Sequence, residues 1–353
     1  MSLKETIQVF KERTSEGLHA TYYNYISRKT AYTALDTIEK EKGKLSASSK
    51  KMADTYAVDI LGGREYAPWL YVYTVCCGEF KEGWIPDNFY HLRLIPRIQG
   101  DYGRLSFLKP MNQVIFGNSI SPDIAFFVNG NWFDGNFSKL TTDTLKEYIF
   151  ESSERVIYKM DQSLQGKGIR ICDINTFDIL ELEALGNGTV QKFIEQHQFF
   201  RDFHSGSVAT IRVTTVINLI GKVDVRAAYL RLGCSADTFV KSDSHVRIPI
   251  DLKTGELYAQ GYLPNWSQTT HHPDAQIIFA NKCIPAYQEV INTAVSLHRK
   301  FPMVMAIGWD FTVDNNNQPQ LMEWNGYGND IKFSEATQGP CFSDLGWNES
   351  RVK

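Results

Sequence analysis

The chain predicts an α+β fold preceded by a largely helical N-terminal region, and three observations carry that prediction. Apolar residues recur at helical spacing over residues 1 to about 45. From about Leu105 onward, strand-like and helix-like stretches intermix without strict alternation. Two strand pairs, 208–232 and 306–325, read as antiparallel hairpins. Strictly alternating units would indicate a doubly wound parallel sheet, whereas hairpins mixed with helices indicate α+β.

Composition bounds the rest. With 353 residues, 43% hydrophobic and 22% charged, the chain is ordinary for a globular protein and long enough for two or three packed subdomains. A formal charge of −3 carries no polyelectrolyte signal, so nucleic acid is not an expected partner. Cys76, Cys77, Cys172, Cys234, Cys283 and Cys341 show no C-x-x-C spacing, which argues against a zinc knuckle or disulfide framework and for a reducing cytoplasm. The polar start Met1-Ser2-Leu3-Lys4-Glu5 lacks the apolar core of a signal peptide, and no window suggests a membrane span. The expected location is cytoplasmic.

Taken in order, Ile7, Phe10, Tyr32, Leu35 and Ile38 place two or three helices at the front, followed by a small polar loop at 44–51. Residues 55–100 are aromatic and irregular, with no catalytic motif. Thr141 or Thr142 caps a helix carrying Leu145, Tyr148 and Ile149. The run 155–159 is a short strand that leads into a polar, glycine-containing segment. Strands 208–218 and 222–232 meet at a turn near Gly221. Residues 284–300 form a helix with Pro285 in its first turn and a stripe of Tyr287, Ile291, Ala294 and Val295.

The sharpest constellation is the last hairpin. Ile307, Trp309, Phe311 and Val313 alternate with Gly308, Asp310 and Thr312, which puts Asp310 on the less apolar face. If Asp314 pairs with Pro319 across the turn, Thr312 faces Leu321, Asp310 faces Glu323, and Asn325 follows on the same face. Opposed carboxylates repel by about 0.2–1 kcal/mol, and a hard cation between them removes that repulsion. A solvated hairpin whose acids keep it soluble accounts for the same residues.

Phosphate would need cations. Lys159 ends a strand just before Gly166-Lys167-Gly168, where small residues let backbone N–H groups approach an anion, although a surface turn reads the same way and no Walker pattern occurs. Lys109 is a further candidate. Arg212 lies between Thr210 and Thr214 on one strand face, as a phosphate clamp or as a salt bridge to a nearby acid. Arg226 and Arg231 point to opposite faces, so they cannot both serve one site. His271-His272-Pro273-Asp274 reads as a loop histidine making an ordinary hydrogen bond rather than as a metal site.

Together these runs resemble the ATP-grasp superfamily, specifically its sugar-transfer-associated branch found with polysaccharide biosynthesis, over roughly residues 85–345. Val190-Gln191-Lys192-Phe193-Ile194-Glu195-Gln196-His197 resembles the linker whose backbone receives adenine. Ser207-Val208-Ala209-Thr210-Ile211-Arg212-Val213-Thr214 resembles the strand with the phosphate-contacting arginine. Gly308-Trp309-Asp310 and Glu323-Trp324-Asn325 resemble the metal-binding acids and amide, Lys109 and Lys159 the nucleotide lysines, and His272-Pro273 a pair the branch also carries. Three positions depart from the pattern. Met160 stands where proline usually follows the lysine, Gln191 and Lys192 where the linker is usually acidic, and Asp237 to Ser242 where a glycine-rich segment is usual.

The resemblance implies an ATP-grasp fold of two α+β subdomains clasping ATP, divided as 1–95 (helical extension), 96–195 (lysines and glycine loop) and 196–353 (metal site). It implies ATP and Mg2+ as cofactors, with Asp310, Glu323 and Asn325 as metal ligands and Lys109, Lys159, Gly166, Lys167, Gly168, Lys192, Phe193, Ile194 and Arg212 around the nucleotide. Lys159 and Arg212 would be catalytic. The expected activity is ligation of a carboxylate, small or sugar-linked, to an amine through an acylphosphate, in a chain compatible with a homodimer. A sugar kinase, and a non-catalytic module that binds a glycan-assembly partner, remain the alternatives.

Overall fold

The computed structural model describes residues 3–117, 120–161, 168–234 and 244–348, with side chains from residue 17 onward. The chain divides into two compact units. The first holds the residues up to Ile98 together with Asn265–Gln268 and the tail from Asp330; the second holds Gln99–Pro264 and Thr269–Asn329.

Unit 1 is helical. The front is one 40-residue helix, α1 (Leu3–Lys42), rather than two or three shorter ones. Ala31, Ala34, Leu35 and Ile38 recur at three- and four-residue steps and bury one face. The hydroxyls of Thr30, Thr33 and Thr37 return to the carbonyls four residues back, so these residues do not break the helix. It ends at Gly43, whose φ of 92° few other residues adopt. The expected loop at 44–51 is mostly helix as well: Ser46 accepts the N–H of Ser49 and caps α2 (Ala47–Asp59). The stretch 55–100, expected to be irregular, contains α3 (Ala67–Cys77), buried at every position from Ala67 to Cys76. A helix buried on all sides shows no amphipathic period, which is why it was illegible. The helices α1, α2 and Lys332–Gln338 surround it.

Unit 2 carries two antiparallel sheets. The first comprises β1 (Asp123–Val128), β2 (Asn131–Asp134), β3 (Lys139–Leu140), β4 (Arg155–Met160), β5 (Ile169–Asp173) and β6 (Gly188–Lys192), in the order β3-β2-β1-β6-β4-β5. The helix Thr142–Phe150 starts after Thr141, whose side chain makes no capping hydrogen bond, and it packs on β4 through Leu145 and Ile149. The second comprises β7 (Thr210–Ile217), β8 (Val223–Leu232), β9 (Val246–Pro249), β10 (Gly261–Tyr262), β11 (Gln268–Thr269), β12 (Ala306–Val313) and β13 (Pro319–Asn325), in the order β11-β10-β9-β8-β7-β12-β13.

Both expected hairpins form, β7 with β8 and β12 with β13. The helix Tyr287–Lys300 begins three residues later than the sequence suggested, after Ala286 at a φ of 49°, and it buries Tyr287, Val290, Ala294, Leu297 and His298. That stripe is rotated from the expected one, leaving Ile291 and Val295 half-buried. Both faces of β12 are buried, so it reads as a central strand.

Candidate functional site

The last hairpin brings the two acids together by a less direct route than simple counting suggests. Val313 pairs with Pro319, Thr312 with Gln320 and Phe311 with Leu321, a register one residue off the expected one. Between Asp310 and Phe311 the register shifts, with Met322 as the extra residue, and Asp310 then faces Glu323 as expected. This β-bulge resets the alternation. Leu321 and Trp324 are both in the core at 1% exposure, which strict period two forbids for residues three apart. The bulge lets Leu321 point into the core while Glu323 faces Asp310.

Asp310 is 5% exposed and richly bonded. Its Oδ1 accepts from Arg212 Nε at 2.6 Å and from an Arg231 terminal nitrogen at 2.6 Å. Its Oδ2 accepts from Arg212 at 2.9 Å and from Asn325 Nδ2 at 3.3 Å. Burial alone would raise the carboxyl's pKa, but the Arg212 and Arg231 guanidiniums outweigh it and hold the group well below the usual carboxylate range. Arg212 also donates to Asn329 Oδ1 at 3.3 Å, and Asn329 donates to Thr214 Oγ1 at 3.4 Å. Gly308 is required here, because a Cβ would fall 2.1 Å from Asn329 Oδ1.

Glu323 pairs with Lys109 Nζ. Lys109 sits between the 3-10 turn Tyr102–Phe107 and the helix Met111–Phe116, and its backbone N–H donates to Asp161 Oδ1 at 2.7 Å. Asp161 follows β4, so one carboxylate ties Lys109 to the strand that carries Lys159. Lys159 Nζ donates to the carbonyl of Met322, the bulge residue, at 3.2 Å. Burial pushes the Lys159 ammonium pKa down; Glu323 opposes this and Lys109 reinforces it. Gly188 of β6 lets the backbone near Lys159 close in, since a Cβ there would meet Lys159 O at 2.4 Å.

Lys109, Lys159, Arg212, Asp310, Glu323 and Asn325 therefore form one cluster, with Arg231 as a member the sequence did not single out. Arg226 is the extra residue of a register shift between β7 and β8 and pairs with Asp224, while Arg231 reaches Asp310. The cluster holds four cations (Lys109, Lys159, Arg212, Arg231) against two carboxylates (Asp310, Glu323), a surplus of two positive charges. Such a surplus suits a polyphosphate. Two facing carboxylates and a neighbouring carboxamide are hard oxygen donors of the kind magnesium takes, so the donor set fits that ion.

Lys192, Phe193 and Ile194 lie at the end of β6, just beyond Thr189, the cross-strand neighbour of Lys159. The N–H groups of Lys192 and Phe193 donate to Pro122 and Arg155 carbonyls at 2.8 and 3.1 Å, and the Arg155 guanidinium lies 4.2 Å over the Phe193 ring. Gly166 and Lys167 lie outside the described residues, as does the departure at 237–242. Gly168 has a φ of 83°, and its carbonyl accepts from Met160 N–H at 3.1 Å.

His272 behaves as the sequence suggested. It is fully buried, its Nε2 bonds Gly233 O at 2.9 Å, and its Nδ1 accepts from the N–H groups of Asp274 and Ala275 at 3.3 and 3.2 Å. Both ring nitrogens are therefore engaged with backbone, even though Cys234 and Asp274 lie close enough to suggest a metal cluster.

Residues 186–343 match the family described as sugar-transfer associated ATP-grasp, the branch the motifs resembled. No curated protein matches the chain significantly. Among solved structures, an ADP complex of the N5-carboxyaminoimidazole ribonucleotide synthetase purK is similar at 11% identity and a TM-score of 0.41, over 75% of this chain and 58% of that one. The D-alanine-D-alanine ligase of Coxiella burnetii is similar at 11% identity and a TM-score of 0.40, over 70% and 58%. The L-amino acid ligase of Bacillus licheniformis is similar at 12% identity and a TM-score of 0.36, over 75% and 49%. The chain thus spans about half to three-fifths of the length of these structures. No helix among the described residues is long and apolar enough to cross a membrane.

Proposed function

We propose that the chain is an ATP- and magnesium-dependent carboxylate–amine ligase that forms an amide through an acylphosphate, acting in polysaccharide, other glycan or natural-product assembly. The observation that carries this reading is the cross-ladder pair Asp310 and Glu323 bracketed by Lys109, Lys159, Arg212 and Arg231. Oxygens for a hard cation and surplus positive charge for phosphate meet in one place. The family match over 186–343, whose description names sugar transfer, supports the glycan setting.

Asp310, Glu323 and Asn325 would hold magnesium, which when bound supplies Lewis-acid polarisation of phosphate oxygens. Lys109 and Lys159 neutralise phosphate charge. The burial that weakens the Lys159 ammonium makes an anionic partner worth more to it than to an exposed lysine. Arg212, whose fork is held by Asp310 and Asn329, would act on phosphate as a fixed positive charge. The end of β6 at Lys192, Phe193 and Ile194 offers backbone to the adenine, and Gly166, Lys167 and Gly168 offer theirs to the phosphates. This reaction requires no protein nucleophile, so catalysis here is positioning and electrostatics: the γ-phosphoryl passes to a substrate carboxylate and an amine displaces phosphate.

Calorimetric titration of a non-hydrolysable ATP analogue, with and without magnesium, tests the reading on wild type and Asp310→Asn. Magnesium-dependent binding in wild type that is lost in the variant supports the site. No binding to either protein favours a non-catalytic module. With ATP and candidate substrates, phosphate release coupled to amide formation marks a ligase, whereas a stable phosphorylated product marks a kinase.

A further inference from the structure

The proposed metal site is closed by the protein's own cations. A carboxylate offers about four lone-pair positions, and Asp310 spends them on Arg212 Nε, a second Arg212 nitrogen, Arg231 and Asn325 Nδ2. No oxygen face of this nearly buried group remains for a divalent ion, and two guanidiniums in contact with it repel one. Glu323 is the more accessible acid, with a side chain 38% exposed, but Lys109 occupies it.

Of the two guanidiniums, Arg231 is the less committed. Arg212 is held twice by Asp310 and again by Asn329. Arg231 reaches Asp310 through one terminal nitrogen, and its Nε is buried without a hydrogen-bond partner. A buried donor without an acceptor gains by meeting one.

We propose that Arg231 is a further phosphate-binding residue whose resting partner is Asp310, so that the hard-cation site opens only when a polyphosphate draws this guanidinium away. The inference rests on the nucleotide reading above. It makes the order of loading a property of the fold: the anion comes first or arrives with its metal, and the metal alone is refused. The cations already paired with both acids also explain why the two carboxylates tolerate facing each other.

The test is binding of Mn2+ alone to the full chain, read by the electron paramagnetic resonance of the free ion, on wild type, Arg231→Met and Arg231→Lys. A parallel titration uses the non-hydrolysable ATP analogue without metal. Arg231→Met is expected to bind Mn2+ at least about tenfold more tightly than wild type, within the usual range of coupling between two ligands, and the metal-free analogue more weakly. Arg231→Lys should fall between the two. A merely structural ion pair would lower the melting temperature of Arg231→Met without creating Mn2+ affinity, and that result overturns the proposal. So does wild type binding Mn2+ alone as tightly as the variant while still binding the magnesium-loaded analogue, which leaves the nucleotide reading standing. Failure of wild type to bind the analogue even with magnesium overturns both.

Discussion

Glu335 of unit 1 and Asp310 of unit 2 are both buried carboxylates, and the two are handled in opposite ways. In unit 1, Glu335 is fully buried and accepts from neutral donors, Ile85 N–H at 2.7 Å, Cys341 N–H at 2.8 Å and the Cys341 side chain. Burial raises its pKa, these donors fall short of cancelling that, and it is pushed up to about 7. In unit 2, Asp310 is almost as buried but meets two guanidiniums, and it is held well below the usual range. Depth is similar; the charge of the donors decides the outcome. Neutral donors leave a carboxyl pushed up to about 7 that ties its helix to the loops at Ile85 and Cys341. Cationic donors leave a permanent anion, which a site for metal and phosphate requires.

The largest break in the comparison is Asp310→Ala. A buried guanidinium, Arg212, and a half-buried one, Arg231, would lose their counter-ion, at a cost of about 3–5 kcal/mol, together with all magnesium-dependent binding of the ATP analogue. Denaturant titration and calorimetry read the two losses, and an unchanged midpoint would show that the ion pairs carry no such burden. Next comes the pH response of Glu335. Its folded pKa of about 7 lies above the ordinary value of 4.5, so the folded state binds more protons between those limits. Stability is therefore full below about pH 4.5, falls as pH rises towards 7, and levels off beyond, with a total of up to about 3 kcal/mol. The difference in denaturation midpoint between wild type and Glu335→Gln isolates this contribution, and a difference that rises with pH over this window would contradict the assignment.

A smaller test uses a buried base that has no counter-ion. His298 is fully buried, bonds Thr215 Oγ1 and Val304 O at 2.7 Å each, and is lowered to about 4, by burial first. Its contribution is present above pH 6.5 and is lost as pH falls towards 4, the mirror of Glu335. His298→Ala should cost about 2 kcal/mol and flatten the acid limb of the stability profile. The smallest effect is expected from Asp161→Ala, which frees the backbone of Lys109. Analogue affinity should fall by about tenfold or less, with under about 1 kcal/mol of stability lost, as read by the same calorimetry. A larger stability loss would make Asp161 a prop of the fold rather than of the lysine.

Legibility differed between the units for physical reasons. The hairpins of unit 2 alternate apolar with polar residues even where both faces are buried, so their pairing and the Asp310–Glu323 apposition could be counted from the sequence. The bulge was also written there, in the three-residue spacing of Leu321 and Trp324, which period two cannot place on one face. Arg231 was seen, but parity alone cannot say which of two opposite faces carries a site. The α3 helix was hidden because it is buried all round. Asn329 has no local signature, since its part depends on Arg212, more than a hundred positions earlier.

Met322 makes the hairpin unusually tolerant of one kind of shortening. Deleting that residue would give a regular ribbon in which Phe311 still meets Leu321 and Asp310 still meets Glu323. What disappears is the carbonyl that anchors Lys159. Alignment of the acids and tethering of the lysine are thus separable by a single codon, and a chain one residue shorter could keep its core while losing its grip on the neighbouring sheet.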